Sequence, residues 1–428
     1  MQDAALRLKS LVEQLLGAPL PLRIRAWDGS EAGPPAAPVL VVRNRRAVRR
    51  LLWKPGELGL ARAWVAGDLG VEGDLYAALD LMSGLLWERG EGARGVGEAL
   101  RDSEVRAALR GLVKLAGPLP PAPPAEEVRR RRHLHTKRSD KRAISHHYDV
   151  GNDFYEIVLG PSMVYSCAYW EDDGSLEDAQ RDKLELIARK LDLKPGLRLL
   201  DVGCGWGSMA IHAAREHGVS VVGVTLSQEQ AAYARKRVAD EGLTDRVEIR
   251  VQDYRDVTDG PYDAISSIGM AEHVGAERYL EYAETLRRLL RPGGRLLNHQ
   301  IARPPRRDES AYSVDEFIDA YVFPDGELAP VGTTVTQLER AGFEVRDVES
   351  IREHYALTLR RWVVNLEEQW TRAVRLTSPG RARVWRLYMA ASALAFEHNR
   401  IGVNQVLAVR TPEASGASGM PLRARDWN

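Results

Sequence analysis

Residues 201–207, Asp-Val-Gly-Cys-Gly-Trp-Gly, end an apolar stretch and lead straight into a helical pattern. Glycines at such a strand-to-helix turn let the backbone come close to a ligand at the carboxyl edge of an open sheet. Two phosphate-binding readings fail on spacing. A G-x-x-x-x-G-K-[ST] loop is absent, and G-x-G-x-x-G is broken because Gly207 falls one residue early. Elsewhere, Glu272 lies between an apolar run and a glycine, where an unpaired carboxylate would be costly to bury, and this makes it the best single functional candidate. His299 at a strand end is as readily a satisfied structural histidine, and Tyr355 an ordinary aromatic at a helix start. Cys167 in an apolar segment is most often a small core residue. The only other cysteine, Cys204, is too distant in sequence for a local metal-binding pair, so no metal site is expected.

The elements that must hold these residues follow from periodicity. LRLLDVG, VSVVGVTL, RVEIRVQD, YDAISSIG and GRLLNHQIA read as strands. SMAIHAAREHG, SQEQAAYARKRVADEG and about 276–291 read as helices between them. That alternation predicts an α/β fold, a mostly parallel sheet with helices on both faces. FEVRDVES and NQVLAVR would close the sheet, separated by helices at 358–376 and 379–399.

A chain of 428 residues, 44% hydrophobic and 28% charged, has room for two domains and is not disordered as a whole. Lys+Arg and Asp+Glu are equal at 60 each, so any pull toward an anionic surface is local. Two cysteines make no disulfide framework and suit a reducing compartment. The amino terminus lacks the apolar core of a signal peptide, and the longest apolar run, Leu387 to Phe396, is too short to span a bilayer. The expected organisation is an N-terminal α+β domain over 1–116, in which Leu8, Leu11, Val12, Leu15 and Leu16 mark an amphipathic helix and 39–42 a strand. A proline-rich then basic linker over 117–142 follows, then a catalytic domain over 143–410 and a flexible tail over 411–428. Arg129–Arg132, Lys137, Arg138, Lys141 and Arg142 form either a solvated face or a patch for anionic phosphates. RNA is a weaker partner for that run because no stacking aromatics accompany it.

The glycine loop resembles the first motif of S-adenosylmethionine-dependent methyltransferases, whose loop takes the amino-acid and ribose parts of a cofactor. The second strand departs from most of them, ending in Thr225-Leu226-Ser227 where an acid would meet the ribose. That departure narrows the family. HHYDVGNDFYEIVLGPSMVYSCAYW (146–170), VGVTLSQEQ (222–230), SIGMAEHVG (267–275) and HYALTL (354–359) resemble cyclopropane-fatty-acyl-phospholipid synthases and the related mycolic-acid and fatty-acyl methyltransferases. The resemblance covers about 130–410, and the N-terminal unit matches more loosely the extra domain of full-length bacterial synthases. It implies a Rossmann-like class I methyltransferase with a seven-stranded sheet. Asp201, Gly203 and Gly205 would hold the cofactor, with Tyr165 and Ser166 at its methionine end, Asp253 and Tyr254 near the adenine, and Gln230, beside Thr225, standing in for the missing acid. From spacing alone Gln230 reads as a solvent-facing helix residue.

The same resemblance implies transfer of a methyl group to the double bond of an unsaturated, oleoyl-type phospholipid, with a bound bicarbonate ion as the base. Cys167, Glu272, His299, Ile301 and Tyr355 occupy the ion-binding positions, Cys167 and Ile301 through backbone groups. Ala271 stands where many of these synthases carry an aromatic residue, which implies a wider pocket. A related branch makes 10-methylene chains, and these residues do not separate the two products. A cytoplasmic enzyme docked peripherally on an anionic membrane is expected, with no nucleic-acid partner; a homodimer would present two basic patches on one surface. Two other classes are carried along. A methyltransferase of soluble metabolites would need no anion cage, and a lipid- or RNA-binding protein that kept the fold would not need Asp201, Gly203, Gly205, Glu272 and Tyr355.

Overall fold

A computed structural model of the chain describes residues 3–86, 102–128, 150–171, 174–309, 312, 314–324 and 326–422. They form two compact units. The first gathers 3–86, 102–128, 315–322 and 377–394, and the second holds the other described residues.

The first unit contains α1 (Ala4–Leu16), β1 (Arg23–Arg25), β2 (Glu31–Ala32), β3 (Val39–Val42), α2 (Arg45–Trp53), α3 (Glu57–Val65), β4 (Leu69–Glu72), α4 (Leu75–Leu86) and α5 (Ser103–Ala116). Asp3 caps α1 by accepting the Leu6 N–H, and Gly17 ends it in the left-handed region. The apolar stripe of α1 then packs with Ile24, Val48 and Leu112 into one cluster over a four-stranded sheet ordered β2-β1-β3-β4. The described part of the proline-rich stretch after α5 has no regular structure and is tied down. The carbonyls of Pro118 and Ala122 accept from Trp53 Nε1 at 2.8 Å and Arg50 Nη1 at 2.7 Å. Proline removes donors from a chain and leaves its acceptors, which these side chains use. The basic stretch 129–142 lies outside the described residues.

The second unit holds α6 (Asn152–Leu159), α7 (Leu176–Lys190), β5 (Arg198–Val202), α8 (Ser208–His217), β6 (Ser220–Thr225), α9 (Gln228–Asp240), β7 (Val247–Val251), β8 (Tyr262–Ile268), α10 (Tyr279–Leu289) and β9 (Leu290–Ala302). After α11 (Glu316–Tyr321), which belongs to the first unit, come α12 (Val331–Arg340), β10 (Glu344–Ser350), α13 (Arg352–Glu368) and α14 (Trp370–Leu376). The chain ends with α15 (Pro379–Glu397), most of it in the first unit, and β11 (Gly402–Val409). A contiguous catalytic stretch over 143–410 is thus interrupted twice, because which cluster a helix joins is decided by long-range packing that its own periodicity does not record.

Among the described residues the second unit's strands form one seven-stranded sheet ordered β10-β11-β9-β8-β5-β6-β7. Five neighbouring strands, β9-β8-β5-β6-β7, run parallel, and β11 is antiparallel to β9 and β10. The expected α/β class is therefore observed. Successive strand residues point to opposite faces. Leu199, Val221, Ala264 and Leu297 enter one apolar cluster, and Leu200, Val222, Ile265 and Leu296 enter the other, so both faces are covered. The expected helix over 276–291 is shorter, since regular helix ends at Leu289 and β9 begins at Leu290. The helix expected from 358 starts at Arg352, which brings His354 and Tyr355 into its first turn. The tail, expected to be flexible from its small polar residues, is tied to the fold where it is described: Thr411 Oγ1 donates to Glu344 Oε2 at 2.7 Å, and Met420 packs against the first of the two clusters.

Candidate active site

The sequence order reverses at β5, whose neighbours are β6 on one side and β8 on the other, and a ligand crevice is expected at its carboxyl end. A cleft opens there, lined among others by Gly203, Gly205, Thr225, Gln230, Asp253 and Tyr254. Gly205 has a φ of 53° with nothing within 4 Å of where a Cβ would stand, so the loop holds a left-handed turn beside free space. A Cβ on Gly203 would lie 2.9 Å from Met270 Cγ. Gln230 is 3% exposed, not solvent-facing as its spacing alone suggested. Ser227 caps α9 and turns the helix start inward, and Thr225 Oγ1 donates to Gln230 Oε1 at 2.9 Å. Asp253 also lines the cleft, with both carboxylate oxygens on the Arg255 guanidinium at 2.6 and 2.8 Å. The cleft carries none of the lysine or Ser/Thr apparatus of a phosphate loop, and its donor set fits a nucleoside with an amino-acid arm.

Asp201, Tyr165 and Ser166 are not among the residues that line this cleft. Asp201 is 2% exposed, accepts from Ser266 Oγ at 2.7 Å through Oδ1, and has no partner for Oδ2. Burial pushes its carboxyl up to about 6, against the opposing pull of Ser266 and Lys183. Lys183 was missed by sequence reading. It is fully buried on α7 and donates to Ser166 Oγ at 3.0 Å, and burial brings its ammonium down to about 7 despite Cys167 and Asp201 nearby. Nothing local distinguishes it from the exposed lysines of other helices; only its helix face, shared with Leu184, Ile187 and Ala188, carries a signal.

The proposed acid–base residues fall into two groups. In the first, the short turn Ala271–His273 after β8 places Glu272 over β9, where its Oε1 accepts the Ile301 N–H at 2.8 Å. Glu272 Oε2 is buried without a partner, and burial raises the carboxyl to about 7 against the backbone N–H groups of Ile301 and of Glu272 itself. Two residues earlier on β9, His299 is 2% exposed with Nδ1 3.4 Å from Gln405 Nε2. Its Nε2 is also buried and unpartnered. Burial, then the Lys183 and Lys190 charges, holds this imidazole well below its usual range and therefore neutral. Ile301 thus enters by a backbone N–H that carries Glu272. Ala271 is buried among Val274, Tyr279 and Tyr282. His273, also missed by sequence reading, lines the cleft, and burial pushes it down to about 4.

The second group is built on α13. Cys167 is fully buried, its thiol 3.6 Å from the Ile351 carbonyl, and burial raises it well above the usual thiol range. Ala168 N–H donates to Thr358 Oγ1, and Trp170 N–H to His354 Nδ1. These bonds seat the 166–170 segment against the helix turn carrying Tyr355, whose ring packs on Phe396 and Trp362. Tyr165 meets Trp362 from the other side. Lys183 is the electrostatic link between the groups, acting on Cys167 and on His299.

A parallel sheet with a reversed strand order, a glycine turn at its switch point and a buried acid behind it define a class I S-adenosylmethionine-dependent methyltransferase. The profile of the mycolic acid cyclopropane synthetase family matches residues 135–406, and the chain belongs to that family. It is 46% identical to a probable fatty acid methyltransferase of Mycobacterium tuberculosis over 94% of each chain. It is 41% identical to the cyclopropane-fatty-acyl-phospholipid synthase of Escherichia coli K12, over 62% of this chain and 67% of that one. The solved mycolic acid cyclopropane synthase CmaA1, in complex with SAH and CTAB, superposes with a TM-score of 0.59 at 34% identity, covering 63% of this chain and 98% of that one. The chain is therefore an enzyme that transfers a methyl group from S-adenosylmethionine to lipid unsaturation. No described helix is long and apolar enough to cross a membrane.

Proposed function

We propose that the acceptor is the double bond of an unsaturated acyl chain carried on a phospholipid, and that the product is a cyclopropane fatty acyl chain. When bound, S-adenosylmethionine supplies an electrophilic methyl on a sulfonium. Gly203, Gly205, Thr225, Gln230, Asp253 and Tyr254 would hold its nucleoside part, with Tyr165, Ser166 and Asp201 toward the methionine end. An alkene has no proton to remove beforehand, so the chain's task is to exclude water and align the two carbons. Methylation leaves positive charge on the acyl chain, and ring closure expels one proton from the added carbon. The single observation that carries the reading is the pair of buried, unpartnered atoms Glu272 Oε2 and His299 Nε2. A buried polar atom without a partner calls for an explanation, and on neighbouring elements at the sheet edge a bound ion supplies one for both. An acceptor carboxyl held on β9 at Ile301 and a neutral imidazole two residues earlier on the same strand suit a bound bicarbonate, which both could orient, with Tyr355 as a further donor. Without a strong exposed nucleophile nearby, the charged chain loses its proton and is not trapped: burial keeps Cys167 a thiol.

A second reading shares the first step and ends in a 10-methylene or methyl-branched chain. The similarity to a fatty acid methyltransferase along 94% of both chains favours it. Access to the lipid would come from docking on an anionic membrane face through the basic stretch 129–142, on the cytoplasmic side, alone or as a homodimer. The deciding experiment is mass spectrometry of lipids from cells expressing the protein with and without added oleate. A gain of one CH₂ on phospholipid acyl chains, located by fragmentation as a ring, supports the first product. Localisation as an exocyclic methylene selects the second, and no gain on any acyl chain overturns both.

A further inference from the structure

Three side chains outside the active site converge on one point between α7 and α8. Glu185 Oε2 lies 3.3 Å from His212 Nε2 and 2.9 Å from His217 Nε2. All three atoms are within 4.8 Å of one another. A tetrahedral zinc ion with bonds of about 2.0–2.1 Å needs donor atoms roughly 3.3 Å apart. We propose that Glu185, His212 and His217 form a binding site for a zinc-like divalent cation, with water as the fourth ligand.

Each member is prepared for that role. Arg189 Nε donates to Glu185 Oε1 at 2.9 Å, which fixes the carboxylate with its other oxygen toward the imidazoles, an orienting contact typical of metal sites. The His212 side chain is 5% exposed, so packing between α7 and α8 holds its imidazole in place. His217 at 18% and Glu185 at 30% leave an entry path and room for water. Two nitrogens and one carboxylate oxygen suit a borderline cation such as zinc and not magnesium or calcium, which seek oxygen. The ligands come from two helices, so an ion would clamp α7, which carries Lys183, to the carboxyl end of α8. α8 starts immediately after the glycine loop, and at about 1.5 Å per residue His212 and His217 stand roughly 6 and 14 Å along it. The role is structural and does not enter methyl transfer.

The experiment titrates zinc alone, against a chromophoric chelator, into the untagged full-length chain stripped of metal. One equivalent should bind, magnesium should not compete, and zinc should raise the melting temperature. His217→Gln, at a half-buried helix end where folding should survive, and Glu185→Gln should each weaken zinc binding at least about ten-fold, since even an orienting partner is worth that much. Both should abolish the thermal shift. Failure of the wild-type chain to take up one equivalent overturns the proposal, and so does equal zinc affinity in both variants and the wild type.

Discussion

Asp68 in the first unit and Glu272 in the second both carry carboxylate oxygens removed from water, and their surroundings differ completely. Asp68 is saturated: Oδ1 accepts from Asn44 Nδ2 at 2.8 Å and Arg46 Nε at 3.2 Å, and Oδ2 from Arg50 Nε at 2.9 Å. Glu272 has only backbone donors, the Ile301 N–H on Oε1 and its own N–H, and nothing on Oε2. A buried charge that serves the fold is surrounded by donors, because removing any one of them is costly. A buried polar atom left open keeps its desolvation cost until a ligand answers it. Asp201 Oδ2 and His299 Nε2 show the same openness near the same sheet edge.

The contrast can be broken or sharpened by substitution. The largest effect is expected from Gly205→Val, whose side chain enters the open space at a φ of 53° and should abolish S-adenosylmethionine binding while circular dichroism stays native. Calorimetry that still detects the cofactor would move the site elsewhere. Next comes Glu272→Gln, expected to lower kcat and kcat/KM together by about 10²–10⁴-fold with cofactor affinity nearly unchanged. The pH behaviour has a definite sign. The folded carboxyl keeps its proton to about 7 and an unfolded one to about 4.3, so the native state binds the extra proton between them. Wild-type stability relative to Glu272→Gln should then be greatest below about pH 4.3 and fall as pH rises through about 7, while kcat rises over the upper part of that window. Denaturant melts at pH 5 and pH 8 that differ equally for both proteins would remove the assignment.

Asp68→Asn should act oppositely, costing on the order of 3 kcal/mol of stability in denaturant unfolding because Arg50 is left buried without its counter-charge. The specific activity of the folded fraction should not move. A fall in kcat without loss of stability would mean that Asp68 is not the structural member of the pair. The smallest effect is expected from Lys183→Met, which keeps bulk in the core and takes the cation from beside Asp201 and Ser166. Cofactor affinity should fall by roughly ten-fold, about 1.4 kcal/mol, measured by the same calorimetry. Unchanged affinity would make Lys183 a packing residue only.

Legibility followed the range of the interactions. Asp201, Gly203 and Gly205 could be read because strand, turn and helix start are neighbours in sequence, and the glycine conformations are local requirements. Glu272 was readable from the cost of placing an acid among apolar residues. The position of Gln230 was not, since a capping serine and a buried threonine hydroxyl turn it inward. Lys183 and the Glu185, His212 and His217 cluster look like ordinary helix-surface residues until α7 and α8 are packed together. The two late segments that join the first unit were equally silent.

By itself the sequence determined the alternation of strands and helices, the glycine turn, and the residue types able to hold a phosphate-free nucleoside and move a proton. These are set by periodicity, backbone conformation and desolvation, which act over a few residues. Only the tertiary structure decided which polar atoms are saturated and which are left open. That is a question of which distant donors reach a given atom, and it is answered when the sheet closes and its covering helices pack.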